Sequence, residues 1–311
     1  MKKDLLTIPD LTKEDVFRIL ERAQELKEDL RASRPHQTLR GKTMAMMFKK
    51  PSTRTRVSFQ SGFFQMGGLA LDLNMDSLQT GRGEPVQDTA RVLSRYVDII
   101  LIRTFDHKEA EDLARFAMIP VINGLTDLYH PCQALSDILT IQEHFEGLED
   151  VRLAYVGDGN NVAHSLLHAF GLMGMNLRMA CPPGYGPDQD IVDRAKGLAT
   201  HSGGQIEIYR DPREAVSDAN ILYTDVWVSM GQEKEARKKR RLFWDYQINP
   251  GLLKMARPDA LVMHCLPAHR GEEITEEVLE GPNSVVFDQA ENRLHVQKAI
   301  VEILIKKNEN T

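Results

Sequence analysis

Thr43-Met44-Ala45-Met46-Met47-Phe48-Lys49-Lys50-Pro51-Ser52-Thr53-Arg54-Thr55-Arg56 is the stretch that decides the fold. Thr43–Phe48 is a short apolar run without alternation, the pattern of a strand covered on both faces. The polar cluster after it leads directly into Thr55–Met66, where apolar residues return at helical spacing. A strand that ends in a polar turn and opens a helix is the unit from which wound α/β sheets are built.

Outward from this stretch the unit repeats. Leu69–Asn74, Asp98–Thr104 and Pro120–Gly124 read as further strands of the first half. Val151–Gly157, Asn176–Cys181, Gln205–Tyr209, Ile221–Asp225, Ala260–Cys265 and Ser284–Phe287 read as strands of the second. Amphipathic segments at Pro85–Tyr96, Cys132–Phe145, Asn161–Gly171, Asp190–Ala199 and Thr275–Leu279 lie between them. Upstream, Thr12 precedes an apolar stripe of Val16, Ile19, Leu20, Ala23 and Leu26, with Asp15 three positions on in the manner of a capping box. The alternation predicts an α/β protein of two doubly wound parallel-sheet lobes, with the active site in the cleft between them. The polar stretch Gly147–Asp150 is the predicted boundary. It gives lobes of residues 1–147 and 148–292, and a C-terminal piece, 293–311, whose helix His295–Lys306 packs back on the first lobe.

With 311 residues, 42% hydrophobic and 27% charged, the chain can bury a full core, which excludes a disordered protein. A net charge of −6 argues against a general nucleic-acid binder. The basic run Lys234–Arg241 reads as a solvated helix or loop face. Cys132, Cys181 and Cys265 form no CxxC pair and the chain starts with polar residues, so a reduced, cytoplasmic setting is expected. No apolar run reaches the ~18 residues of a membrane span.

Open α/β sheets bind ligands beyond the carboxyl ends of their strands. The site is therefore sought in Lys49–Arg56, Arg103, His130, Gly157–Asn161, Asp225 and His264–Pro267. Ser52–Arg56 places hydroxyls, backbone N–H groups and guanidiniums around one helix N-terminus, a cradle for a phosphate. Gly157-Asp158-Gly159-Asn160-Asn161-Val162 also opens a helix but lacks the full G-x-G-x-x-G, so no nucleotide cofactor is expected. Asp225 ends an apolar strand, where a carboxylate is either a paired functional group or a helix cap. His264, Cys265 and His269 have no second cluster at the spacing of a structural zinc site, and no metal is expected. Cys132 and Cys181 read as small apolar core residues.

Ser52-Thr53-Arg54-Thr55-Arg56 resembles the carbamoyl-phosphate signature of the aspartate/ornithine carbamoyltransferase family. The match continues through Asp88-Thr89-Ala90-Arg91-Val92-Leu93, His130-Pro131-Cys132-Gln133, Asp225-Val226-Trp227-Val228-Ser229-Met230-Gly231 and His264-Cys265-Leu266-Pro267, in the family's order over essentially the whole chain. Ser229-Met230-Gly231 and His264-Cys265-Leu266-Pro267 are similar to the ornithine branch. The resemblance implies transfer of a carbamoyl group from carbamoyl phosphate to the δ-amine of L-ornithine, giving citrulline and phosphate, without a cofactor and in a homotrimer or a multiple of trimers. It implies that Ser52, Thr53, Arg54, Thr55, Arg103, His130, Gln133, Cys265, Leu266 and Arg293 meet carbamoyl phosphate. Arg54, Arg103, His130, Asp225 and Cys265 would carry the catalysis, Arg103 and His130 by polarising the carbonyl. Gln79 and Arg82 sit in a polar, Gly-rich loop that composition alone reads as solvent-exposed; the resemblance sends them to a neighbouring subunit's site. Asn161, Asp225, Ser229 and Met230 would hold ornithine.

Overall fold

In the computed structural model, which describes residues 2–75, 83–229, 231 and 233–309, the chain divides into two units: Met1–Leu139 with Glu291–Thr311, and Thr140–Ala290. The first opens with α1 (Lys13–Arg31), started by the foreseen capping box: the Asp15 N–H donates to Thr12 Oγ1 at 3.2 Å and the Thr12 N–H to Asp15 Oδ2 at 3.2 Å. There follow β1 (Thr43–Phe48), α2 (Arg54–Gln65), β2 (Leu69–Asn74), α3 (Val86–Leu93), β3 (Ile99–Arg103), α4 (His107–Phe116), β4 (Val121–Leu125) and α5 (Pro131–His144). The strands form one parallel sheet in the order β2-β1-β3-β4. β1 and β3 are buried along nearly their whole length, whereas the edge strand β2 leaves Leu69 and Leu71 60% and 40% exposed. Ala45, Met47, Ile100, Ile102, Leu113 and Val121 form part of this unit's core. Helix α4 lies outside the segments expected from periodicity. Its buried residues are His107, Ala110, Leu113 and Ala114, and Asp106 caps it by accepting the Lys108 N–H at 2.9 Å.

The second unit takes the last turn of α5 and continues with β5 (Arg152–Val156), α6 (Asn161–Met173), β6 (Asn176–Ala180), α7 (Gln189–Ser202), β7 (Gln205–Tyr209), α8 (Pro212–Val216) and β8 (Ile221–Thr224). Next come α9 (Ala236–Leu242), α10 (Pro250–Leu253), β9 (Leu261–His264) and α11 (Glu276–Leu279). Its sheet is also parallel, in the order β7-β6-β5-β8-β9. Ala154, Val156, Leu222, Val262 and Ile274 lie in its core. The division between units falls inside α5, upstream of Gly147–Asp150.

One expected strand is absent. Ser284–Phe287 makes a single bridge to β9, with the Val262 N–H donating to Asn283 at 2.8 Å and the Val285 N–H to Val262 at 3.0 Å. Val286 then opens α12 (Val286–Glu309), so the last helix begins well before His295. A short apolar run does not distinguish a buried strand from a buried first helical turn.

In each unit the strand order reverses once, between β1 and β3 and between β5 and β8. Such switch points splay the connecting segments apart at the carboxyl ends of the strands and open a crevice there.

Candidate active site

The first crevice is lined by basic groups. Arg103 is the last residue of β3, and Thr55 lies in the first turn of α2. The Thr55 hydroxyl, only 1% exposed, accepts from Arg103 Nη1 at 3.3 Å and from Arg293 Nη2 of α12 at 2.7 Å. Arg293 Nη1 donates to Gln133 Oε1 at 2.7 Å, and Gln133 Nε2 donates to Asp137 Oδ1 at 2.8 Å. A buried chain of hydrogen bonds therefore fixes both guanidiniums before any ligand arrives. Ser52 and Arg54 are half-buried and Thr53 is exposed.

His130, immediately before α5, is buried beside this cluster. Burial first, then the charges of Arg293, Arg103 and Arg54, push its pKa well below the usual imidazole range. At neutral pH its ring is uncharged, while guanidiniums remain charged at any pH the protein tolerates. Such a set of fixed cations, with a neutral hydrogen-bonding imidazole beside them, has the chemistry to hold an anion. Arg56 lies apart: it pairs with Asp72 at 3.1 Å and stacks over Phe48.

The second crevice is built on the turn after β5. Asn160 caps α6, its Oδ1 accepting the N–H groups of Val162 and Ala163 at 3.0 and 3.2 Å. That role turns its Nδ2 toward Asp225 Oδ2, at 2.7 Å. Gly159 is required in this turn: a Cβ there would lie 2.2 Å from the Pro187 nitrogen. Asp225, just beyond β8 and 6% exposed, accepts the Val226 N–H at 2.8 Å and the Cys265 thiol at 2.9 Å, both on Oδ1. It caps no helix and ends a buried strand as a carboxylate held by three donors. Asn161 is the first residue of α6, and Ser229 is half-buried. Gln79, Arg82 and Met230 lie outside the described residues.

Cys265 and Leu266 leave β9 through a turn held from beneath. His264 Nδ1 accepts the Leu266 N–H at 2.8 Å, so its proton sits on Nε2 and is donated to Glu273 Oε1 at 3.1 Å. His264 and Glu273 are fully buried. Burial alone would raise the Glu273 pKa, but its bonds to His264 and to the His269 N–H hold it below the ordinary glutamate value. Leu266 itself has φ +55°, a left-handed conformation that costs a non-glycine residue on the order of 1 kcal/mol. The buried dyad offsets that cost and aims the Leu266 peptide.

Among the described residues, two groupings have donor atoms close enough for a cation: Asp225, His264 and Cys265, and His269, Glu272 and Glu273. In the first, both ring nitrogens of His264 are already engaged. In the second, Glu272 is paired with Arg240 at 2.9 Å. A metal at either would break an existing buried or ionic contact.

Glu273 is absent from the residues picked out in the sequence, and Asn160 appears there only within the Gly157–Asn161 turn, with no role of its own. Asn160 was hidden by its neighbour Asn161, since only the turn's geometry tells which of the two caps the helix. Glu273 stands in a charged run, Arg270-Gly271-Glu272-Glu273, that reads as solvated.

Two family models together span nearly the whole chain: "Aspartate/ornithine carbamoyltransferase, carbamoyl-P binding domain" over residues 3–143 and "Aspartate/ornithine carbamoyltransferase, Asp/Orn binding domain" over residues 149–304. The ornithine carbamoyltransferase of Thermococcus kodakarensis is 54% identical over 303 residues, 97% of this chain and 96% of the relative. That of Bacillus subtilis is 52% identical over 309 residues, covering 99% and 96%. The solved structure of the ornithine carbamoyltransferase from Pyrococcus furiosus is similar with a TM-score of 0.93 at 54% identity, covering 96% of this chain and 95% of that one. That from Campylobacter jejuni, described as anabolic, has a TM-score of 0.92 at 39% identity, covering 99% and 100%.

Proposed function

The chain belongs to the aspartate/ornithine carbamoyltransferase family, and on that footing we propose that it is an ornithine carbamoyltransferase in which the first unit holds carbamoyl phosphate and the second holds L-ornithine. The observation that carries the choice of amine is Asp225, a buried carboxylate bonded to Asn160 and Cys265. A carboxylate there suits an α-ammonium and would repel the second carboxylate of aspartate.

In this reading Ser52, Thr53, Arg54 and Thr55 take the phosphate, with Gln79 and Arg82 completing the site from a neighbouring subunit. Arg103 and His130 polarise the carbonyl and stabilise the charge that grows on its oxygen. Gln133 Oε1, which has a second lone pair beyond the one given to Arg293, accepts from the carbamoyl NH₂. The Leu266 carbonyl accepts from the same NH₂. Asn161 and the Met230 backbone bind the ornithine α-carboxylate, and Asp225 with Ser229 binds the α-ammonium. The δ-ammonium, with a reference pKa of about 10.4, must lose a proton before it attacks. Burial beside guanidiniums favours the neutral amine, which the Cys265 thiol orients. The amine nitrogen then bonds to the carbonyl carbon, the bond to the phosphate oxygen breaks, and the second proton passes to the departing phosphate. Positioning and electrostatics supply the acceleration, and no cofactor takes part.

The same reading takes 1–147 and 148–292 as the two substrate domains and 293–311 as a tail on the first, supported by the grouping of Glu291–Thr311 with Met1–Leu139. It makes the protein a homotrimer or a multiple of one. Support comes from large apolar side chains left exposed, Val57 and Phe64 of α2 at 56% and 79% and Leu69 and Leu71 of the edge strand at 60% and 40%. The same reading places the protein in the cytoplasm, in arginine biosynthesis or in arginine catabolism run in reverse; the setting is supported by Cys132, Cys181 and Cys265, buried thiols outside any disulfide. Among the described residues no helix is long and apolar enough to cross a membrane.

The deciding experiment offers ornithine, putrescine, N-acetylornithine and aspartate separately with carbamoyl phosphate and measures the ureido product. Preference for ornithine is the expected result. Preference for another amine would overturn the assignment of the second unit and leave the first intact.

A further inference from the structure

The basic run Lys234–Arg241, read from the sequence as a solvated face, contains one residue that is not solvated. Arg237, Lys238, Arg240 and Arg241 are exposed, but Lys239 is 2% exposed and its Nζ lies 2.6 Å from Asp158 Oδ2, itself 6% exposed. The ammonium also faces the rings of Tyr185 and Phe243, at 5.3 and 5.7 Å from their centroids. Placing both charges of a pair out of water is costly, and such a pair fixes a particular geometry more than it adds stability.

The position of this pair gives it a role. The segment from Asp225 to Lys239 carries Ser229. At its near end Asp225 is bonded to Asn160, and at its far end Lys239 is bonded to Asp158, two residues earlier in the same turn. That turn is itself rigid: the Tyr155 hydroxyl donates to the Asp158 carbonyl at 2.8 Å and the Gly159 N–H to the Tyr185 carbonyl at 2.8 Å. Phe243, which follows α9, packs on Tyr185 and Trp227 with centroid separations of 5.1 and 5.9 Å. Both ends of the segment are therefore referenced to the one turn that opens α6.

We propose that Lys239 is a positioning residue for the amino-acid substrate: its buried pair with Asp158 clasps the Ser229 segment onto the Asp158–Asn161 turn, so that the groups meeting the α-ammonium and the α-carboxylate share one template. This rests on the assignment of ornithine to the second unit. Lys239 touches no substrate; it acts by fixing where Ser229 and Asp225 stand relative to the turn.

The test uses the full-length protein and the variants Lys239→Met, Lys239→Arg, Asp158→Asn and Asp225→Asn, with exposed Arg237→Met as control. Losing one partner of a desolvated pair is expected to raise the ornithine KM by at least about tenfold in Lys239→Met and Asp158→Asn, with kcat changed by less than about threefold. Carbamoyl-phosphate affinity, measured by equilibrium dialysis, should stay within about twofold in both. Lys239→Arg should recover most of the ornithine KM, and Arg237→Met should match the parent. Ornithine KM values at the parent level in Lys239→Met and Asp158→Asn, alongside a raised one in Asp225→Asn, would overturn the clasp alone. An unchanged KM in Asp225→Asn as well would overturn the ornithine assignment and the clasp with it. Parallel loss of carbamoyl-phosphate affinity and of melting temperature in both clasp variants would mark the pair as a general structural contact and refute the positioning role.

Discussion

Asp225→Asn is the sharpest probe of the second crevice because it keeps the shape and changes only charge and donor pattern. Asp225 accepts at both oxygens: Oδ2 from Asn160 at 2.7 Å, Oδ1 from the Val226 N–H at 2.8 Å and from the Cys265 thiol at 2.9 Å. An asparagine amide has one acceptor end. If its NH₂ replaces Oδ2 it faces the NH₂ of Asn160; if it replaces Oδ1 it faces the Val226 N–H and the thiol proton. Every orientation leaves at least one buried donor opposite another, at a cost of about 1–3 kcal/mol. Loss of the carboxylate also removes its attraction for the substrate ammonium, a charge-assisted contact of about 1.5–3 kcal/mol. The clash is present with or without substrate and lowers stability, whereas the lost attraction lowers kcat/KM for ornithine by roughly one to two decades at 1.36 kcal/mol per decade. The assay is colorimetric citrulline formation under saturating carbamoyl phosphate, with carbamoyl-phosphate affinity measured separately and expected at the parent level. A kcat/KM within tenfold of the parent in a folded variant would refute the reasoning.

Three further outcomes are expected. Thr55→Val removes the acceptor shared by Arg103 and Arg293, so phosphate affinity should fall by ten- to a hundredfold and the melting temperature by roughly 5 °C, with Thr55→Ser close to the parent; equilibrium dialysis with inorganic phosphate and thermal unfolding check it. Gly159→Ala drives a methyl into the Gly186–Pro187 backbone, so the turn must move and the ornithine KM should rise severalfold; a parent-like KM would show the turn is not held where described. Burial holds His130 and His107 below the usual imidazole pKa and takes His168 down to about 4. The native state therefore refuses protons that the unfolded chain binds below pH ~6.5. Unfolding free energy should fall as pH drops from 6.5 to 5.5, by up to about 1 kcal/mol for each of these histidines. Urea titrations of the parent and of His168→Asn check the slope, which the variant should flatten.

Much of the fold was legible because strands of a parallel sheet are covered on both faces and so appear as unbroken apolar runs, Ile99–Ile102 being the plainest. Helix α4 escaped because its buried face is made of small residues, Ala110 and Ala114, around a single leucine. Val285-Val286-Phe287 misled because β-branched residues favour strands, and only the packing of the chain placed Val286 in a helical turn. In the site, residues that end strands stood out by contrast with the apolar runs before them: Arg103, Asp225, Cys265. Residues that act through a neighbour did not. Nothing in the order of residues tells that Glu273 reaches His264, or that Lys239 alone among adjacent cations turns inward, because those facts depend on how a loop returns upon itself.

The neutral His130 among permanently charged guanidiniums has a bearing on acidity. Near neutral pH the imidazole is uncharged and the guanidiniums are charged, so these groups neither take up nor release protons there. In that range the dependence of phosphorylated-substrate binding on pH should therefore trace the second ionisation of the substrate's own phosphate group. Any inflection at higher pH belongs to the amine substrate, whose side-chain ammonium has a reference pKa of about 10.4. Acid–base behaviour is thereby partitioned: fixed charges receive one reactant, and the proton that must be lost before reaction belongs to the other.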